Sequence, residues 1–321
     1  MRRRRLKNRL LGLALMFASG LTCTSAVAQV LLDLGRTRLK QRADAVMSLM
    51  AYSVVPDLAS SNLSIKDAST ENPSVQMAQL GGGFTLSKSV PLYLEGAVAY
   101  SRYDPTFVAS EGGESRQLPA RWNTVTGTIG VGWDFPITSE LVFRPIVDVS
   151  LGKVASDLKV AQYLLGRALD RNIEFLDGGS MNAYGLGGAV MLDWEHVRES
   201  YSIDVELRYT DIRLQTFGNT FEAVSGNASA RTANIWARYR APTGAYMLDR
   251  PLRYVLEFSH SRYLGSQSGI LGFDYLSSLG TGLELDTSKS SPLYVTRLRA
   301  VLRYMFGNNV SGVSLGLAAS F

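Results

Sequence analysis

Two histidines, His196 and His260, are the only imidazoles the sequence offers for proton transfer near neutral pH. A serine nucleophile needs such a base within hydrogen-bond reach, and along an extended chain only residues two apart share a face. His260 stands in "LEFSHSRY", where Ser259 and Ser261 are its immediate neighbours and Phe258 and Arg262 occupy the positions two away. An intrastrand His-x-Ser pair is therefore missing, and hydrolysis centred on His260 is the alternative rather than the leading reading. His196 falls beside Glu195 and Arg198 in a short polar link and reads as a solvated turn residue.

Carboxylates and guanidiniums are more plentiful. Asp204, Glu206, Glu257, Asp274 and Glu284 share one predicted strand face with Arg208, Arg238, Arg240, Arg253, Arg297, Arg299 and Arg303. Mixed charges on one face pair across strands and fill a solvated interior. A sharper reading makes Arg297, Arg299 and Arg303 a cationic ladder along an ion path. The glycine runs Gly81-Gly82-Gly83 and Gly185 to Gly188 lack the Lys and Ser/Thr of a phosphate loop, and no metal-ligand spacing stands out. No catalytic residue, metal or cofactor is expected.

The elements that carry these residues alternate with period two. In "TVTGTIGVGWDF", Val125, Ile129, Val131, Trp133 and Phe135 oppose Thr126, Thr128 and Asp134. In "LVFRPIVDVSLG", Leu141, Phe143, Val147, Val149 and Leu151 oppose Arg144, Asp148 and Ser150. Such alternation places each set on its own face of a strand. Strands are predicted near 62–69, 75–87, 92–104, 121–135, 141–154, 180–194, 201–216, 229–240, 252–264, 270–286, 293–306 and 310–321. Many reach the ~9–11 residues that cross a bilayer at a tilt. Counting back from Phe321, short links (287–292, 195–200, 136–140 and 88–91) alternate with links that include the longer 217–228, 155–179 and 105–120. The short Asn308-Asn309 link and the 241–251 link depart from this rhythm. Trp133, Phe135, Phe143, Trp194, Tyr201, Tyr254 and Tyr294 would form a girdle near the short-link rim, where amphipathic rings meet the lipid boundary. The fold class expected is an all-β transmembrane, closed antiparallel barrel of about twelve strands.

The ends of the chain differ from its middle. Arg2 to Arg5, Lys7 and Arg9 precede an apolar run, Leu10 to Leu21, and then Ala26-Val27-Ala28. A basic start, an apolar core and a small-x-small site describe a secretory signal peptide cleaved near Ala28. Taking its six basic residues off the formal +5 leaves −1, so the mature chain gives no reason to invoke nucleic acid. The sole cysteine, Cys23, leaves with it. The expected organisation is a leader over 1–28, a helical segment over 29–60 that could plug the lumen, and a barrel over 61–321. At the other end, Val313, Leu315, Leu317, Ala319 and Phe321 share one parity, ending the chain on an apolar face.

A cleaved leader, a short helical pre-segment, about twelve alternating strands and a terminal phenylalanine together resemble the autotransporter β-domain. With no passenger before the strands, the chain is most similar to solitary outer-membrane barrels of autotransporter type. That resemblance implies export by the general secretory translocon and insertion by the barrel-assembly machinery into a Gram-negative outer membrane. It makes Phe321, with Leu317, Leu315 and Val313, part of the signal that machinery reads. It implies contact with outer-membrane lipids and lipopolysaccharide, and no established substrate. The function expected is non-enzymatic: a narrow or plugged pore, or a surface module. The alternatives are a lipid-active hydrolase centred on His260, of the kind that outer-membrane hydrolases with a strand His and a nearby Ser represent, and adhesin-like loops at 105–120, 155–179 and 217–228.

Overall fold

Alternation of β-branched and aromatic residues with small polar ones favours an extended, pleated chain. In the computed structural model, which describes residues 47, 50–52, 61–65, 74–104, 106–111, 114–119, 122–156, 180–218, 227–268, 272–287 and 296–320, that pattern becomes fifteen strands. They are β1 (Ser61–Ile65), β2 (Ser74–Thr85), β3 (Leu92–Asp104), β4 (Thr106–Glu111), β5 (Glu114–Pro119), β6 (Trp122–Trp133), β7 (Phe135–Pro136) and β8 (Leu141–Ser156). After these come β9 (Ser180–Val197), β10 (Ser202–Phe217), β11 (Asn227–Met247), β12 (Arg250–Gly265), β13 (Tyr275–Asp286), β14 (Arg297–Gly307) and β15 (Val310–Ser320). The leader, most of the 29–60 segment, Tyr294, Phe321 and the longest link lie outside the described residues.

The pairing is antiparallel throughout, mostly between chain neighbours, and the sheet curls on itself. Its order is β6-β3-β2-β1-β15-β14-β13-β12-β11-β10-β9-β8-β7, and β6 also pairs with β8. The first and last strands are neighbours: Ser61 faces Ser314 and Ile65 faces Val310. This lap is short. Below Ser61, the lower part of β2 and residues 315–320 of β15 have no strand between them among the described residues.

Burial is inverted relative to a water-soluble sheet. On β6 the threonines at 124, 126 and 128 are buried, while Ile129 is 67% exposed. On β8, Arg144, Asp148 and Ser150 are buried and Val147, Val149 and Leu151 are exposed. Outward leucines reach 80% exposure at Leu80 and 74% at Leu317; Val313 and Leu315 are exposed beside the latter. A soluble monomer rarely presents so continuous an apolar surface.

Inside the curl sit two apolar clusters that include helical residues from the N-terminal segment. Met47, Met50 and Ala51 pack with Val154, Met181, Ala183, Ile212, Leu214 and Ala230. Tyr52 packs with Val75, Met77, Tyr263, Phe273, Leu276 and Met305. Room for the helix comes from a glycine: a Cβ on Gly152 would stand 2.8 Å from Met50 Sδ and 2.9 Å from Thr126 Cγ2.

Three local expectations are corrected. The 105–120 link contains a separate hairpin, β4–β5, with Phe107 opposite Leu118. The 241–251 link is mostly strand, because β11 runs on to Met247 and turns only at Leu248 and Asp249. Both turn residues have positive φ, 54° and 58°, the geometry that lets a two-residue hairpin follow the twist of its strands. Finally, β13 starts at Tyr275, so Asp274 precedes the strand rather than lying on it.

Candidate functional site: an ion-paired lumen

The inward parity of β10 to β14 brings nine of the predicted charged residues together. Arg238 Nε donates to Asp204 Oδ2 at 2.9 Å, and Arg240 Nη2 donates to Asp204 Oδ1 at 2.9 Å. Glu284, with a fully buried side chain, accepts from Arg299 Nε at 3.0 Å and Arg240 Nη1 at 3.4 Å. Arg253 and Arg297 stand 3.7 and 3.9 Å from its other oxygen. Glu257 takes Arg303 Nε at 2.8 Å and lies 3.9 Å from Arg299 Nη1. Three carboxylates thus tie six arginines into one lattice. Arg297, Arg299 and Arg303 are not an unpaired ladder, because Glu257 and Glu284 on neighbouring strands interleave with them.

The facing wall carries the opposite balance. Arg208 grips Glu95 through both terminal nitrogens, at 2.9 and 2.6 Å, and lies 3.9 Å from Asp148. Arg144 donates to Asp134 and Asp193, at 3.1 and 3.2 Å, and stacks 4.0 Å over the Tyr93 ring. Bidentate arginine–carboxylate geometry of this kind makes the stronger ion pairs. A cavity of about 350 Å³ opens here, its lining including Gly81, Gly83, Glu95, Glu195, Glu206 and Arg208. Glu206 is therefore a wall residue of the acidic side, apart from the arginine lattice. The lumen is electrically two-sided, with arginine in excess on β11 to β14 and carboxylate in excess on β3 and β6 to β9.

Asp274 belongs to neither wall. Its carboxylate accepts from Ser268 Oγ at 2.9 Å, and its backbone N–H donates to Asn308 Oδ1 at 3.0 Å, so it ties two links at the rim opposite the short ones. A second polar clasp holds the helical residues. Gln267, wholly buried, donates Nε2 to the Ala51 carbonyl at 2.7 Å, while its own carbonyl accepts from Tyr52 Oη at 2.7 Å. Thr232 Oγ1 donates to Gln267 Oε1 at 3.2 Å. A buried backbone carbonyl needs a donor of this kind.

The predicted girdle residues that are described stand on the outer face. Trp133, Phe135 and Phe143 are exposed, and Phe135 and Phe143 have ring centroids 6.4 Å apart. A continuous series then runs Trp194, His196, Tyr201, Tyr239 and Tyr254, with successive centroids 5.4 to 6.0 Å apart. His196 also hydrogen-bonds Glu140 through Nδ1 at 2.8 Å, and Arg198 Nη1 donates to the same carboxylate at 3.0 Å. Those two contacts hold the Glu140 carboxyl below its ordinary range, the His196 bond contributing most. His196 is thus a girdle and clamp residue rather than a free turn residue.

His260 faces outward as well. Its Nδ1 lies 2.9 Å from Ser277 Oγ, on the strand directly opposite, and its ring is 5.6 Å from that of Tyr275. Neither Ser259 nor Ser261 is its partner: Ser259 bonds Ser278 and Ser261 accepts from Asn234.

Several contributors are not singled out from the sequence. Glu95, Asp134, Asp148 and Asp193 form the acidic wall, although the parity of their own strands places each of them inward. Gln267 lies in a turn beyond β12, where periodicity gives no signal.

No protein-family model matches the chain, and no curated protein does. Among solved structures, the chain is similar to the β domain of the Bordetella autotransporter BrkA, with a TM-score of 0.45 and 12% identity over 82% of this chain and 98% of that one. It is similar to the translocator domain of the autotransporter NalP from Neisseria meningitidis, with a TM-score of 0.42 and 9% identity over 82% and 86% of the two chains. A third similar structure is LpxR from Salmonella typhimurium, with a TM-score of 0.39 and 10% identity over 80% and 98%.

Proposed function

We propose that this chain is a non-enzymatic, integral outer-membrane β-barrel whose lumen is narrowed by the N-terminal helix and by wall-to-wall ion pairs. The observation that carries the reading is the inversion of burial: paired charges inside, exposed aliphatic and aromatic side chains outside. The first-to-last strand pairing supports a closed ring, and the outward aromatic series supports a lipid boundary on the short-link side. Packing of Met47, Met50, Ala51 and Tyr52 against inward side chains supports a plug rather than an open pore. Under this reading the chain is exported behind its leader, assembled by the barrel machinery and surrounded by phospholipid and lipopolysaccharide.

Planar-bilayer conductance tests it. The folded chain should give small, rare openings, and removal of residues 29–56 should raise conductance several-fold. Large, steady channels from the intact chain would overturn the plug. Should the truncated chain fail to fold, Gln267→Ala, which releases the clasp on Ala51, supplies the same comparison.

A second reading is favoured by one contact, the His260–Ser277 hydrogen bond on the outer face. A serine beside an imidazole at a lipid surface has the makings of an acyl-transfer nucleophile. Against it, Ser277 is buried and the described contacts of His260 include no carboxylate to orient the ring. Release of fatty acid from phospholipid or lipopolysaccharide, lost in Ser277→Ala, would establish this activity; no release by the folded chain would dismiss it.

A further inference from the structure

The outward parity of the strands carries almost no charge until a particular height. From the short-link rim upward it runs through Trp194, Leu192 and Val190 on β9, Ile203, Val205, Leu207 and Tyr209 on β10, and Tyr254, Leu256 and Phe258 on β12. Within four residues of the opposite ends of three adjacent strands, it turns basic. Arg213 on β10, Arg231 on β11 and Arg262 on β12 all stand on the outer face, with Arg213 and Arg262 exposed and the Arg231 side chain 41% exposed.

Their register makes them a group. Arg213 is opposite Ser229, two residues from Arg231, and Arg262 is opposite Ala233, two residues beyond Arg231 on the other side. Diagonal cross-strand neighbours of this kind lie about 7–8 Å apart. One carboxylate on this patch, Asp211, pairs with Arg231 at 3.1 Å, so positive charge remains in excess. Lys153 on β8 and Arg102 on β3 occupy similar heights on the same outward parity. Asp104 is an acid on that parity two residues above Arg102.

We propose that Arg213, Arg231 and Arg262 form a docking surface for phosphate groups borne by lipids of the outer leaflet. The inference rests on the barrel reading above. Guanidinium forks match phosphate oxygens, and three within one headgroup's reach exceed what solubility requires of a strand end. The occupant is a lipid rather than a free anion because the same face continues downward, past Tyr209 and His260, into exposed Leu207, Leu256 and Phe258, where acyl chains fit. Charge also assigns the two rims. The aromatic rim, where Glu140 and Arg198 pair with each other, meets the interface poor in anionic groups, and the arginine patch meets a leaflet of phosphorylated glycolipid.

The test uses the full folded chain in zwitterionic micelles, with unfolding followed by heat-modifiable gel migration. A multiply acylated disaccharide lipid carrying two phosphates is added, and in parallel the same lipid without phosphate, and inorganic phosphate alone. The bisphosphorylated lipid should raise the unfolding midpoint by several degrees, the other two should not, and the rise should vanish in Arg213→Gln/Arg231→Gln/Arg262→Gln. Equal stabilisation by both lipids, or a shift retained in the triple variant, would overturn the site. Equal stabilisation by inorganic phosphate would overturn the lipid as its ligand. Because Arg231→Gln leaves Asp211 unpaired, Arg213→Gln/Arg262→Gln serves as a second variant that keeps the ion pair and should lose most of the shift. Absence of a heat-modifiable form in any lipid would instead count against the barrel itself.

Discussion

Glu284 is the residue on which the basic wall turns. Its buried carboxylate is shared by Arg240, Arg253, Arg297 and Arg299, drawn from three strands, so its loss strands several guanidiniums at once. Removing one partner of a buried ion pair costs about 3–5 kcal/mol, because the remaining charge is left uncompensated. Glu284→Gln should therefore lower the stability of the folded chain by about 3 kcal/mol in urea unfolding followed by tryptophan fluorescence. Adding Arg299→Gln to it should recover part of the loss, which no independent pair of sites would do. A double variant no more stable than the single one would count against the lattice. The parity of Glu284 and its arginines is legible in the sequence, since each alternates with apolar or aromatic residues along its own strand. Which carboxylate meets which guanidinium is not, because that depends on the stagger between strands, and stagger is fixed by turns and tilt rather than by any one strand's pattern. Ser277 illustrates the same limit: it lies seventeen residues beyond His260 and faces it only through register.

Among elements, the contact between β8 and the helical residues is the most exposed to test. Gly152 lies inward on β8, and Met50 occupies the space its missing side chain leaves. Gly152→Ala should cost less than a larger side chain, since the methionine end can shift although Thr126 Cγ2 cannot move as freely. Gly152→Leu should destabilise by about 1–3 kcal/mol through overpacking, measured as a lower unfolding midpoint, and Met50→Ala in the same chain should restore most of it. Failure of Met50→Ala to rescue would place the helix elsewhere in solution. The strands themselves are the best-read elements: twelve were expected, and the long ring strands begin and end within a few residues of expectation. The exceptions have a common cause. Strand β11 continues through Ala241 to Met247, with a bulge between Pro242 and Tyr246, and the β4–β5 hairpin forms, where Pro, Gly and Thr read as a link but pairing on either side holds the chain extended.

At the scale of the whole molecule, the apolar series Val313, Leu315 and Leu317 leads down the outer face toward the chain's end. Deleting Phe321 should impair insertion and leave the chain in the periplasm, scored by loss of surface-loop labelling in whole cells; unchanged labelling would remove the terminal residue from the assembly signal. The inside-out distribution of charge was legible from alternation alone, whereas the division of the lumen into a basic and an acidic wall was not, since it appears only when the strands are set in order around the ring. The short lap between β1 and β15 carries a mechanical meaning. Strand β1 meets β15 over five residue pairs and β2 over four, while the joints between the long strands run to ten or more. A sheet under tension yields where its overlap is shortest, so fraying begins along the two edges of β1. In water the freed edges would be solvated and the split would grow. In hydrocarbon an unpaired strand edge is costly, so under the proposed outer-membrane reading a bilayer would hold the same splice tighter than water does.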